Sequence, residues 1–272
     1  TNNSMPEYLA FSPDISFGGW GGDKGATWWL IKQYDGIAGQ PDGTLKGRTL
    51  DQRLHASFML PGFYYGEITK VSDKTKLIYN PGGTDANFLA VKKYVIGSPV
   101  DLAGIASQQH YPNDTYMMRL AEMYLIYAEA AMGNSTSTTD ATAVDYFNKV
   151  HTRAGLPAWT VSGINANGPL TLDAVFSERF KEFAMEGMAW YDFVSLHYWN
   201  PAKAFSILNS QERGLFFTKA DQIPNPTVWT FTKTSWWSEN TISANEGNFL
   251  LPIPNTELSQ APNLQKPAVD YP

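Results

Sequence analysis

Up to about residue 115 the apolar positions keep no long period, and beyond it they recur at helical spacing. In the first stretch, glycines at 18, 19, 21, 22 and 25 surround Trp20, TWWLIKQY predicts a short helix, and Asp35-Gly36 ends it. Turn signals follow at Pro41-Asp42-Gly43, Pro61-Gly62 and Asn80-Pro81-Gly82-Gly83, with KLIY and KKYVI between them as brief strands. Then Met117, Leu120, Ala121, Tyr124, Leu125, Ala128 and Ala131 mark one helix face, between a cap at Pro112-Asn113-Asp114 and a stop at Gly133-Asn134. After the polar loop NSTSTTD, Asp140 caps a second helix with the stripe Val144, Phe147, Val150 and Ala154, closed by Gly155 and Pro157. Two such helices predict an αα-hairpin, and Ala143 with Phe147 fits half of a tetratricopeptide pattern.

A third and longest helix is expected from about Thr171 to Leu196, with Leu172, Val175, Phe176, Phe180, Phe183, Ala184, Met188, Tyr191 and Val194 as its buried face. Gly187 in its interior costs about 1 kcal/mol against alanine, which predicts close packing by another element there. Residues 200–245 are rich in Trp, Phe and Thr, and TVWTFTK alternates as a strand does. LLPIPNTELSQAPNLQKP holds too many prolines for more than a short turn of helix after Asn255.

Composition narrows the classes. With 43% hydrophobic and 17% charged residues over 272 positions, the chain is expected to fold around a substantial core. No run of eighteen apolar residues reads as a membrane span, and TNNSMPEYLAF lacks the basic-then-apolar order of a signal peptide, so any export signal is expected upstream. A net charge of -6 argues against nucleic acid as a partner. The absence of cysteine excludes disulfides, thiolate metal sites and cysteine nucleophiles. Histidines 55, 110, 151 and 197 are too scattered for a metal motif, GWGGDKG lacks the spacing of a nucleotide loop, and no GxSxG elbow occurs. No cofactor is expected.

The informative excess is aromatic: nine Trp, fourteen Tyr and fifteen Phe make 14% of the chain, several of them in glycine- or proline-rich stretches. An exposed ring on a loop costs solvation and is usually kept for stacking. Trp20, Trp28, Trp29, Tyr64 and Tyr65 are therefore the candidate ligand-binding rings, with Asp23, Lys24 and Arg53 as polar neighbours. One of Trp28 and Trp29 is expected to belong to the core of the short helix. Trp229, Phe231, Trp236 and Trp237 form a second cluster that alternates like a half-buried strand or hairpin.

Glu178, Glu182 and Glu186 stand at i, i+4 and i+8, and paired carboxylates do acid-base work on glycosidic bonds. Glycosidase carboxylates flank the scissile bond from opposite sides, which neighbours one turn apart on one helix cannot do. Arg179, Lys181, Arg119 and Arg153 offer ion-pair partners, so a structural role is expected for these carboxylates.

Three segments stand out in order: RLAEMYLIYAEAAM (119–132) with NKVHTRAGL (148–156), ERFKEFAMEGMAWYDF (178–193), and LLPIPNTEL (250–258) with PNLQ (262–265) behind it. Together they resemble the SusD/RagB family, surface glycan-binding lipoproteins of Bacteroidetes-type Gram-negative bacteria. The resemblance spans about residues 110–272, with a looser match over 18–110 that includes Asp51-Gln52-Arg53. Departures are Ala189 and Ser195, where the family carries arginine, and the tail QKPAVDYP.

The resemblance implies a mainly α, SusD-like fold: a tetratricopeptide-type αα-hairpin plus a long packed helix, with extensive irregular loops and a few short strands. It implies one structural domain, with a loop-rich region 1–110 contributing to the ligand platform, a helical region 111–272, and the N-terminal half of the family fold absent. The implied function is non-catalytic binding of an oligosaccharide for delivery to a SusC-type TonB-dependent transporter. The implied location is the outer membrane, on the cell surface, through a lipid anchor outside this chain. Two alternatives stay open: a helical glycoside hydrolase using Glu178, Glu182 or Asp192, and a protein-interaction scaffold without a glycan site.

Overall fold

Thr27 opens the first helix, α1 (Trp28–Ile31), by accepting the Leu30 N–H on its hydroxyl, and α1 buries Trp28 and Ile31. The structure, a computed structural model, describes residues 25–34, 44–46, 51–70, 72–80, 85–86, 89–95, 116–213, 216–233, 242–250 and 253–266. It divides into two units, Thr1–Asp192 with Glu212–Asn240, and Phe193–Gln211 with Thr241–Pro272.

After α1 come β1 (Thr44–Lys46), α2 (Arg53–Ser57), β2 (Phe58–Met59), β3 (Tyr64–Thr69), β4 (Lys76–Ile78), β5 (Asp85–Ala86) and β6 (Ala90–Val91). KLIY supplies β4 as expected. The strand expected at KKYVI lies two residues earlier, in β6, because Phe58 and Met59 pair with Val91 and Ala90 and residues 92–95 then turn away.

Later come α3 (Leu120–Ala130), β7 (Ser137–Thr138), α4 (Ala141–His151), β8 (Leu170–Thr171), α5 (Leu172–Glu182), α6 (Ala189–Trp199), α7 (Pro201–Asn209), β9 (Phe216–Ala220), β10 (Val228–Lys233) and α8 (Asn255–Gln260). The architecture is thus mixed, helices with a few short strands. Asp140 caps α4 by accepting the Ala143 N–H at 2.8 Å. The α3–α4 pair meets through Tyr146, whose ring centroid is 4.9 Å from those of both Tyr124 and Tyr127. Helix α3 starts at Leu120, and the cap expected at residues 112–114 lies outside the described residues. Its buried residues are Ala121, Glu122, Leu125 and Ala128, while Met117, Leu120 and Ala131, expected on that face, are exposed. The reason is visible in LAEMYLIYAEA, which is apolar nearly all round and so does not itself say which side packs.

The single long helix expected over 171–196 is two helices. Residues 183–187 form a turn between α5 and α6, with Met185 at φ 65° and Gly187 at φ 79°. No α-helix holds that backbone. A Cβ on Gly187 would meet nothing within 4 Å, so the close packing expected there is not found. The glycine serves the turn. Tyr191, expected to be buried, is exposed.

A four-stranded antiparallel sheet runs in the order β1-β10-β9-β5, with Thr44 opposite Thr230, Trp229 opposite Ala220 and Asp85 opposite Lys219. Along β9, Phe216, Thr218 and Ala220 are buried and Phe217 and Lys219 exposed, the period of two expected of a half-buried strand. TVWTFTK supplies β10, whose Trp229 and Phe231 enter one core with Trp28, Ile31, Tyr34, Leu54 and Phe58. Each buried side chain of this size contributes about 1.5–3 kcal/mol. Trp236 and Trp237 lie outside the described residues. A smaller core of Met59, Tyr65, Ile68, Leu77, Tyr79 and Ala90 lies beneath β3 and β4.

In the second unit, Asn200 caps α7 by accepting the Lys203 N–H, with Pro201 in the first turn. His197 stacks on Phe249 at 4.0 Å and bonds Glu246 at 2.8 Å.

Candidate functional site

Two glycines build the most exposed aromatic feature among the described residues of the loop-rich part. Gly62 (φ 74°) donates to the Tyr79 carbonyl at 2.7 Å, and a Cβ there would lie 2.8 Å from Pro226 Cδ. Only glycine fits that approach. Phe63 follows, stacked on His55 at 4.2 Å, and its carbonyl accepts the Tyr79 N–H at 3.1 Å. Trp229 Nε1 donates to the Pro61 carbonyl at 2.8 Å, tying the turn to the sheet. The strand that leaves this turn is therefore held at its root.

Successive residues on β3 point to opposite sides. Tyr65 is 1% exposed, its hydroxyl donating to the Phe58 carbonyl at 3.0 Å and accepting the Leu60 N–H at 2.9 Å. Tyr64, opposite Ile78, is 51% exposed. Its ring lies over Gly66, where a Cβ would stand 2.9 Å from Tyr64 Cε1. Any larger residue at 66 would displace the ring, so the glycine gives it a flat seat against the strand.

The other sequence-predicted residues separate sharply. Trp28 is 6% exposed, between Phe216 at 5.5 Å and Phe231 at 6.0 Å. Trp28 and Tyr65 thus offer no ring face to a ligand, because both faces are spent on the core. Trp29 is half-buried, its ring meeting Phe180 edge-on at 4.8 Å. Arg53 is also buried, its charge consumed by Asp51 and Glu178, so it is a structural cation rather than a hydroxyl-binding one. Trp20, Asp23 and Lys24 lie outside the described residues. Of the predicted set, Tyr64 is the described residue with an open ring.

The carboxylates form a buried ion cluster. Glu178 takes Arg53 Nη1 at 2.6 Å, His151 Nδ1 at 3.0 Å and Lys181 Nζ at 3.4 Å. Burial pushes its carboxyl up, but the His151 hydrogen bond and the Arg53 and Lys181 charges outweigh this and bring it to about 2. Glu182 takes Arg119 at 2.9 Å and Arg153 at 2.5 Å. Burial pushes its carboxyl up too, and the same two arginines hold it below the ordinary range. Glu186 takes Arg119 at 2.8 Å and Lys93. Arg119, Arg153 and Lys181 are partners expected from the sequence; Arg179 instead bonds Asp192 at 2.7 Å. Burial raises the Asp192 carboxyl, partly offset by Arg179.

Sequence reasoning missed an exposed apolar surface at the start of α3, where Tyr116, Met117, Met118, Leu120 and Met123 are all exposed. The available signal was the near-absence of polar residues from YMMRLAEMYLIYAEA.

A paired helix α3–α4, a capped α5 behind it, and short sheets carrying an exposed ring make this a mixed helical, loop-rich scaffold. The chain belongs to the SusD family, whose sequence profile matches residues 2–271. A SusD-like protein of Bacteroides ovatus is 31% identical over 290 residues, covering 99% of this chain and 47% of its own length. A solved crystal structure superposes on 100% of this chain and 51% of its own, with a TM-score of 0.72 at 28% identity. A laminarin-binding SusD-like protein aligns with 50% of this chain and 25% of its own at 27% identity, but a TM-score of 0.32 leaves that overlap without weight for the fold. The chain spans about half the length of the relatives it matches.

Proposed function

We propose that this chain is part of a cell-surface nutrient-binding protein that holds an oligosaccharide by stacking and hydroxyl hydrogen bonds, without chemistry on it. The observation that carries the reading is Tyr64, half exposed and seated on Gly66 at the root of a pinned strand. A sugar ring presents C–H groups on its faces, and a rigid aromatic face is the surface they pack on. Membership of the SusD family supports the same class of ligand. In this reading the whole protein is an outer-membrane lipoprotein that passes its ligand to a SusC-type TonB-dependent transporter. The α3–α4 pair is its tetratricopeptide-type element, and the loops of residues 1–110, with Trp20, Trp29 and Asp23, add to the platform. The non-catalytic reading is supported by the ion pairs that occupy Glu178, Glu182 and Asp192. A glycosidase instead needs two carboxylates open to the bond from opposite sides.

Calorimetric titration with α-1,4-, β-1,3- and β-1,4-linked glucans and with mannan tests the reading. Tyr64→Ala is expected to weaken binding about two- to tenfold, in line with an aromatic contact of about 0.5–1.5 kcal/mol. Gly66→Ala, which displaces the ring without removing it, is expected to do the same. Wild-type affinity in both variants would remove Tyr64 from the site, and hydrolysis of any glucan during the titration would overturn the non-catalytic reading.

A further inference from the structure

The turn between β9 and β10, DQIPNPT, has no part in the sequence-predicted site, yet it is docked on the turn that carries Tyr64. Pro226 Cδ and the Gln222 carbonyl lie 2.8 and 3.1 Å from where a Gly62 Cβ would stand. Gly62 and Tyr64 are two residues apart on an extended chain, within about 7 Å. Gly62 is thus a joint between two surface features that are far apart in sequence.

The turn is built to hold its shape. Asp221 clasps Thr227 with both oxygens, Oδ1 accepting the Thr227 N–H at 2.9 Å and Oδ2 the hydroxyl at 2.6 Å. Gln222 Nε2 donates to the Asn225 carbonyl at 2.8 Å, and Asn225 holds φ 60°, a left-handed angle that asparagine tolerates better than most residues. The clasp occupies the one carboxylate of the turn. Beside that carboxylate the turn shows amide to solvent: Gln222 and Asn225 are both exposed. An amide offers donor and acceptor together, and a sugar hydroxyl is itself both donor and acceptor. An amide rim of this kind suits a neutral sugar, and the exposed, ionised Asp221 beside it disfavours a phosphate or a uronate.

We propose that the DQIPNPT turn is the polar half of the ligand platform, with Gln222 and Asn225 binding hydroxyls of a neutral oligosaccharide stacked on Tyr64 and with Gly62 setting the spacing between them. This rests on the oligosaccharide-binding reading above. It gives a role to a stretch, 221–227, that carries no family motif in the sequence.

The test uses the whole chain and the same neutral glucan and mannan panel. Gln222→Ala and Asn225→Ala are each expected to weaken the best ligand about three- to tenfold, the effect of one lost hydrogen bond. In nitrogen-proton correlation spectra of the wild type, the backbone amides of Gln222, Ile223 and Asn225 are expected to shift on adding that ligand. If Tyr64→Ala weakens binding while both turn variants bind as wild type and those amides stay still, the turn is no part of the site and this proposal fails alone. If the wild type binds no oligosaccharide of the panel, the reading beneath it fails and takes the proposal with it. A uronate oligomer bound more tightly than every neutral one would overturn the neutral-ligand assignment.

Discussion

Gly187 at φ 79° and Met185 at φ 65° turn the chain between α5 and α6, and the two glycines that frame Tyr64 do different work again. Gly187 has open space where a Cβ would go, whereas Gly62 has Pro226 at 2.8 Å. Gly187→Ala therefore adds only the strain of a left-handed backbone, about 1 kcal/mol. Gly62→Ala adds that strain and a clash with a ring that cannot swing away. Urea denaturation of both variants should rank them in this order, and a loss above about 3 kcal/mol at Gly187 would mean that something packs there after all. The same scale explains what could be read of the site in advance. Aromatic residues beside turn signals were recognisable, but whether a ring such as Trp28 or Tyr64 faces core or water depends on strand register and on neighbours far along the chain.

At the scale of one element, α5 is a cationic partner's landing strip as much as a core helix. Its Glu178 joins α5 to α2 through Arg53 and to α4 through His151. Removing one member of a buried pair leaves its partner charged and unmet, at about 3–5 kcal/mol. Glu178→Gln is expected to cost about that much near neutral pH. The folded carboxyl titrates at about 2 against an ordinary 4.5. Its stabilising contribution is thus complete above the ordinary value and is lost as pH falls from there toward 2. Denaturation midpoints across that window should drop more steeply for the wild type than for Glu178→Gln, and parallel curves would show that Glu178 is not the group responsible. The spacing of the three glutamates, with Arg119 and Arg153 as partners, could be anticipated from helical periodicity. Arg53 could not, since 125 residues separate it from Glu178.

Across the whole molecule, the approach to α3 leaves Met117 88% exposed and the helix itself leaves Met123 49% exposed. Exposed apolar side chains clustered in sequence favour association when they form one patch. Met117→Lys with Met123→Lys is expected to leave the melting temperature within a few degrees, since exposed side chains contribute within about 0.5 kcal/mol. The variant should also sediment as a smaller species than the wild type at high concentration; a large drop in melting temperature would mean that these side chains are packed. What local order alone determined was the identity of the elements with strong periods or clear caps: α1, the α3–α4 pair with its Asp140 cap, β4, β10, α8, and the family-bearing segments. These follow from interactions within a few residues, which a linear pattern records. Tertiary structure decided the break at residues 183–187, the outward side of a largely apolar α3, the burial of Trp28, Tyr65 and Arg53, and the docking of the DQIPNPT turn on Gly62. Each of those depends on atoms brought together from distant parts of the chain, and steric fit and charge pairing between them leave no mark in local order.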